Sequence, residues 1–245
     1  MKNIRSLIRM LILESTGTVG YKMIFLGGLP GGGKSTLLRI LGLEDQFTNC
    51  NIDNFFEPML MDALGTKHLH NLKNNFFRLH KLRKEKLESG QELSQAEIDE
   101  FEEASRLNDE EGRLFRSAIK SFKEQITEVC QIGSNFIIDG TAANSKMILS
   151  QKAEYEAAGY DCAMIMVDVD PEVSMQRNLA RGDRGGRAIH NSIIQRQGET
   201  MPANIPVYEQ AFGDNFFLVS SRGTLEEYEV AIEAIRPGIE AFMEK

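Results

Sequence analysis

Three scarcities in this 245-residue sequence each exclude a class of protein. Cysteine is the first. Cys50, Cys130 and Cys162 are odd in number, far apart and without a C-x-x-C pair, so neither a disulfide framework nor a zinc knuckle is expected, and a reducing, cytoplasmic setting fits. Cations are the second: 28 Lys plus Arg against 36 Asp plus Glu leave a net charge of -8, which argues against coating the phosphates of duplex DNA as the main mode of binding. Long apolar runs are the third. Leu11-Ile12-Leu13, preceded by Arg5 and Arg9, is too short for a bilayer span or a signal core, so a soluble chain without membrane attachment is expected.

What is present is the composition of a packed chain, 42% hydrophobic and 26% charged with 14 Phe. Its length exceeds one average domain and falls short of two, which predicts a single domain carrying an insertion. Residues 1–20 read as an N-terminal element: Ile4, Leu7, Ile8, Leu11 and Ile12 recur at helical spacing, and Ser15 to Gly20 form a linker. From Tyr21 the period changes. Compact apolar runs at 21–26, 48–53, 135–139, 163–169 and 215–219 read as buried strands, and helix-like stretches at 34–43, 146–158, 172–181 and 225–235 lie between them. Alternation of this kind predicts a three-layer α/β fold with about five parallel strands. The stretch from about 55 to 131 has no strand signal and is the insertion. Leu69, Leu72, Phe76, Leu79 and Leu82 form one helical stripe, Ser89-Gly90 breaks it, and Ser94-Gln95-Ala96-Glu97 is a capping-box signature for a second helix. The first arm is basic (Arg78, Lys81, Arg83, Lys84, Lys86) and the second acidic (Glu97, Asp99, Glu100, Glu102, Glu103). Either the arms pair with one another or the basic face receives an anionic substrate. His68, His70 and His80 lack metal-site spacing.

The most specific signal is Gly28-Leu29-Pro30-Gly31-Gly32-Gly33-Lys34-Ser35, which fits G-x-x-x-x-G-K-[ST] between a predicted strand and a predicted helix. Glycines are needed because the main-chain N–H groups must turn inward around phosphate oxygens, and the helix N-terminus adds positive character. Lys34 then reaches the β- and γ-phosphates, the Ser35 hydroxyl ligates Mg²⁺, and Thr36 supports the helix start. Asp53, in Asn51-Ile52-Asp53-Asn54, falls at the same carboxyl edge of a parallel sheet. It is suited to take a proton from an attacking hydroxyl, or to cap the helix ahead of Phe55 and Phe56. Asp139, at the end of Phe136-Ile137-Ile138-Asp139-Gly140-Thr141, is placed to bind Mg²⁺ or support the phosphate loop; a plain Asp-Gly turn is the alternative. Asp170-Pro171 opens a helix carrying Arg177 and Arg181 on one face, and Arg184 and Arg187 follow among glycines. Four guanidinium groups so grouped read as a mobile lid over transferring phosphate, or else as a solvated basic face.

Together these elements resemble the phosphate-loop kinases that include the zeta toxins and the 5′-kinase domain of polynucleotide kinases, often phage-encoded, over about residues 21 to 220. Asp53 is similar to their acceptor-activating Asp. Arg177-Asn178-Leu179-Ala180-Arg181-Gly182 resembles the phage polynucleotide kinase lid, which implies a phosphate-contacting role for Arg181, and Gly186-Arg187-Ala188-Ile189 is similar to a Gly-Arg element of zeta-toxin relatives. Two departures stand out. Phe56 replaces the acceptor-holding Arg expected three residues after the activating Asp, and Asp168-Val169-Asp170 is followed by Pro171, so no phosphatase half is implied. The resemblance implies a kinase using ATP and Mg²⁺, with Lys34, Asp53, Arg181 and Arg187 catalytic, Arg177 and Arg184 on the nucleotide, and Ser35 and Asp139 on the metal. The acceptor would be a hydroxyl on a nucleic-acid end, a modified base, a nucleoside or a nucleotide sugar, and the cell compartment the cytoplasm, that of the host for a phage product. The alternative is a nucleotide-hydrolysing regulatory module acting on a protein or nucleic-acid partner. Adenine is the default base, since no N-K-x-D-type guanine-reading motif is present.

Overall fold

The computed structural model describes residues 20–245; the helix expected within residues 4–12 and most of the linker lie outside them. Five strands, β1 (Tyr21–Gly28), β2 (Thr48–Asn51), β3 (Phe136–Asp139), β4 (Tyr160–Asp168) and β5 (Phe216–Ser220), form one parallel sheet in the order β2-β3-β1-β4-β5. Eight helices are present among the described residues: α1 (Lys34–Leu41), α2 (Asp53–Leu64), α3 (Leu69–Glu88), α4 (Gln95–Gln131), α5 (Ser145–Ala157), α6 (Pro171–Asp183), α7 (Asn191–Phe212) and α8 (Leu225–Glu244). The chain runs from β1 outward to β2, returns through β3, then crosses to β4 on the other side of β1. Ligands of open parallel sheets bind at the carboxyl edge beside such a reversal.

Apolar runs without alternation form this sheet because both of its faces are covered. Met23, Phe25, Phe136, Ile138, Met164 and Met166 pack on one side with residues of α4, α5 and α7. Ile24, Leu26, Ile137, Ile165 and Val167 pack on the other with α1 and α8. Ile24 is fully buried, so truncating it to alanine costs about 2–5 kcal/mol.

The insertion holds three helices rather than the two its stripes predicted. Its additional member, α2, begins at Asp53 itself and carries Pro58, which obscures helical reading. Phe56, Leu60, Leu69, Leu114 and Ala118 give the insertion a core of its own. The hairpin of α3 and α4 resolves the charge alternatives towards mutual pairing: Arg78 meets Glu100, Lys86 Nζ lies 2.7 Å from Glu97, and Lys73 Nζ lies 2.7 Å from Glu111. The capping box at Ser94 and Glu97 is formed as expected.

Two helices depart from expectation at their prolines. α7, which contains Pro202 and Pro206, was not expected as a helix at all, yet it buries Ile194, Met201, Tyr208 and Phe212. α8 runs nine residues past the expected end at residue 235, through Pro237 and Gly238, because Ile239 and Phe242 are buried against the sheet. Tertiary burial outweighs the lost hydrogen bonds in both.

Candidate functional site

The loop that follows β1 bends through two left-handed glycines. Gly31 has φ +75°, and a Cβ there would sit 2.9 Å from the Arg177 Cβ; Gly33 has φ +96°, and a Cβ there would sit 2.8 Å from the Tyr228 ring. Both the backbone angle and the crowding demand glycine. Gly33 caps α1 without a side-chain bond, so the first amides of that helix face the loop. Lys34 Nζ folds back to donate to the Gly28 carbonyl at 2.9 Å. Other elements clamp the loop from behind: Ser174 Oγ donates to the Pro30 carbonyl at 2.6 Å and the Tyr228 hydroxyl to the Gly33 carbonyl at 3.0 Å.

A cleft of about 840 Å³ opens over this loop at the carboxyl edge of the sheet. Pro30, Gly31, Gly32, Gly33, Lys34, Ser35 and Thr36 form its floor, and Asp53, Asp139, Arg177, Arg181, Arg184 and Arg187 all line it. Gly28 and Leu29 do not. The former ends β1 beneath the cleft, and the latter is buried in the core.

The two carboxylates arrive from adjacent strands. Asp139 ends β3, in register with Asn51 at the end of β2. Its Oδ2 accepts from Asn51 Nδ2 at 2.7 Å; its Oδ1 lies 3.8 Å from Lys34 Nζ, is buried and has no hydrogen-bond partner. Burial pushes the Asp139 carboxyl above its ordinary pKa, opposed by the Lys34 charge and the Asn51 hydrogen bond. Asp53 is the first residue of α2 but makes no side-chain cap; its backbone N–H donates to Asn51 Oδ1 at 2.8 Å. Its carboxylate lies 3.0 Å from Arg187 Nη2, with both side chains largely buried. The same Oδ1 has no directed hydrogen bond, so the contact is an ion pair set off the N–H direction.

The arginines divide into two groups. Arg177 is anchored by Ser221 Oγ at 3.0 Å, and the exposed Arg184 by the Ala180 carbonyl at 3.0 Å. Arg181 and Arg187 are more enclosed, and each has a buried Nε without a partner. Burial lowers the Arg181 pKa and the Arg187 charge adds to this, while Asp53, Glu57 and Asp139 oppose it. The segment after α6, read from sequence as a mobile lid, is pinned at its far end. Asn178 bonds both the N–H and the carbonyl of Ile189, at 3.0 and 2.8 Å. Ala188 pairs with the backbone of the insertion, through Lys67 and His70.

The remaining wall is of a different character. Phe56 and Phe115 meet edge to face with centroids 5.2 Å apart, Leu69 and Ile193 adjoin them, and the Lys73–Glu111 pair is self-neutralised. Gln197 Oε1 on α7 is buried there without a partner. Of these residues the sequence drew notice only to Phe56, as a departure from the polynucleotide kinases, and to Leu69, as part of a helical stripe. Phe115, Ile193, Lys73, Glu111 and Gln197, like Ser174, Ser221 and Tyr228, did not stand out, since no local motif contains them. His68 and His70 join His190 in a ring cluster, and no group of metal-binding side chains occurs among the described residues. The three cysteines are free, and no described helix is long and apolar enough to cross a membrane.

A structure of a candidate kinase from Chloroflexus aurantiacus superposes with a TM-score of 0.53 at 17% identity, over 91% of this chain and 99% of that one. Two weaker likenesses have TM-scores of 0.48. One is a structure of the PezAT chromosomal toxin-antitoxin system of Streptococcus pneumoniae (14% identity, 97% of this chain and 93% of that one). The other is a chain of the Pnkp1/Rnl/Hen1 RNA repair complex (17% identity, 80% of this chain and 48% of that one). No curated protein matches the sequence. The model of the chloramphenicol phosphotransferase-like proteins matches residues 21–199, the span from β1 into α7 that carries most of the cleft lining, while Ser221, Thr224, Leu225 and Tyr228 lie beyond it. This bears out the resemblance at the level of phosphate-loop kinases; the zeta-toxin or polynucleotide-kinase subtype and a phage type are not shown by it. The chain belongs to the chloramphenicol phosphotransferase-like family, a family of phosphate-loop, nucleotide-dependent phosphotransferases.

Proposed function

We propose that the protein is an ATP- and Mg²⁺-dependent kinase that phosphorylates the hydroxyl of a compact, uncharged alcohol. The observation that carries this reading is the division of one cleft into two halves. The phosphate loop, Lys34 and the four arginines make one half strongly cationic. The facing wall carries Phe56, Phe115, Leu69 and Ile193. Its cations are already engaged, Lys73 by Glu111 and Arg187, which lies over the Phe56 ring at 5.7 Å, by Asp53, so among the described residues this wall offers no unpaired cation to a phosphorylated or polymeric acceptor.

Each residue has a task that follows from its place. The loop amides and Lys34 hold the triphosphate, and Arg181 and Arg187 face the charge that spreads over the transferring oxygens. Asp53 accepts the hydroxyl proton as the alcohol oxygen bonds to the γ-phosphorus and the bond to the bridging oxygen of ADP breaks. Ser35 and Asp139 fit a divalent cation, because Asp139 Oδ1 is a buried carboxyl oxygen without a hydrogen-bond donor. Such an ion supplies charge neutralisation at the β- and γ-phosphates. Phe56 and Phe115 shield the reacting centre and bind the apolar body of the acceptor, and Gln197 Oε1 accepts a hydrogen bond from it. Phe56, standing where polynucleotide kinases carry an arginine, is consistent with an acceptor that has no phosphate.

The test is transfer of label from γ-labelled ATP to a panel of acceptors: chloramphenicol and other small aromatic alcohols, nucleosides, nucleotide sugars, hydroxymethyl-base DNA and 5′-hydroxyl oligonucleotides. Label is expected on a small alcohol. Label on an oligonucleotide, or ATP hydrolysis that no alcohol diverts, would overturn the reading.

A further inference from the structure

Among the described residues, Asn51 is the one whose side chain bonds to both Asp53 and Asp139. It ends β2 beside Asp139 in the sheet register, and α2 starts two residues later. Its carbonyl oxygen accepts from the Asp53 backbone N–H at 2.8 Å, and its amide nitrogen donates to Asp139 Oδ2 at 2.7 Å. Chemistry dictates this orientation. The Asp53 backbone N–H can only donate and so requires the Asn51 oxygen as its acceptor; a flipped amide would lose that bond, and this orientation leaves the amide nitrogen to face Asp139. The amide is therefore locked, and it locks Asp139 in turn. One carboxylate oxygen is committed to Asn51, which leaves the other, Oδ1, as the buried oxygen without a partner.

Resting on the kinase reading, we infer that Asn51 is a positioning residue that aims Asp139 Oδ1 at the divalent cation. Its amide competes for no ligand of its own; it decides which oxygen of Asp139 is presented. Carboxylates that bind metals are held by hydrogen bonds of this sort, and removing the holding partner costs metal affinity roughly tenfold to a hundredfold. Asp139 alone, free to rotate between Lys34 and the cleft, would present either oxygen.

The experiment measures binding of a non-hydrolysable ATP analogue by calorimetry, with excess Mg²⁺ and with EDTA, for the wild type, Asn51→Leu, Asp139→Asn and the double variant. Leucine keeps the shape of asparagine without its hydrogen bonds. In Asn51→Leu the affinity gained from Mg²⁺ is expected to fall about tenfold, while the affinity in EDTA stays within twofold. In the Asp139→Asn background the same substitution should change the Mg²⁺ gain no further, because its effect passes through Asp139. An unchanged Mg²⁺ gain in Asn51→Leu, equal losses with and without metal, or a full additional loss in the double variant would each overturn the inference. Failure of the wild type to bind the nucleotide at all would instead remove the kinase reading beneath it.

Discussion

Replacing Asp53 by Asn separates the general-base task proposed for this carboxylate from its electrostatic one. The side chain keeps its shape and loses its charge, so a proton can no longer be taken from the acceptor; the loss of a general base lowers turnover about 10²- to 10⁴-fold. The same change leaves Arg187, only 15% exposed, without its partner and with Arg181 as a nearby like charge. Breaking a fully buried ion pair by removing one partner costs about 3–5 kcal/mol. Here Asp53 retains 20% exposure and Asp139 still faces the arginines, so about 2 kcal/mol is the reasonable figure. For a chain of this size that loss corresponds to a fall of about 4–8 °C in Tm. Nucleotide phosphates would restore an anion opposite Arg187. The Tm increase brought by a saturating Mg·ATP analogue should therefore be larger in Asp53→Asn than in the wild type, although transfer is almost abolished. Thermal unfolding with and without the analogue, alongside the labelled-ATP assay, reads both effects. Equal Tm values without nucleotide together with equal ligand-induced shifts would refute the electrostatic argument, and unchanged turnover would remove Asp53 from the chemistry.

Two further outcomes follow from the geometry. Gly33→Ala places a Cβ at φ +96° and 2.8 Å from the Tyr228 ring, so it should lower stability by about 2 kcal/mol and weaken nucleotide binding at least about tenfold, measured by denaturant unfolding and calorimetry. Burial lowers the pKa of both His70 and His190, which stack with centroids 5.2 Å apart and share Asn74, with His68 and Lys73 adding positive charge nearby. Bases whose folded pKa is depressed contribute stability that is complete above the ordinary value of 6.5 and is lost as pH falls through their folded values. Tm should therefore decline as pH drops below about 6.5, and His190→Gln should remove part of that decline; a pH profile unaltered by this substitution would contradict the assignment.

The strands, the phosphate loop and the capping box were legible because each is written in contiguous residues whose own dihedrals and contacts enforce it. Gly28 to Ser35 specifies a phosphate cradle wherever a strand precedes it and a helix follows. Asp53 and Asp139 were legible for a related reason: a parallel sheet places the ends of its strands along one edge, so position in the sequence implies position in space. Helices α2, α7 and α8 read poorly because Pro58, Pro202, Pro206 and Pro237 weaken the local signal, while burial of residues such as Tyr208 and Phe242 supplies the free energy that propensity lacks.

Partnership across the fold is another matter. The Tyr228 hydroxyl clamps Gly33 from 195 residues away, Ser174 holds Pro30 from 144 away, and Lys73 meets Glu111 only because two helices fold against one another. No local pattern encodes such pairs, since their energy depends on which surfaces packing brings together. Local sequence thus dictated the phosphate-binding chemistry and the edge of the sheet where it occurs. The bridge of Asn51 between Asp53 and Asp139 arose when β2 paired with β3, and the facing of Asp53 by Arg187 and the apolar wall of the cleft when the insertion docked over that edge, because contacts between distant segments exist only after the chain has packed.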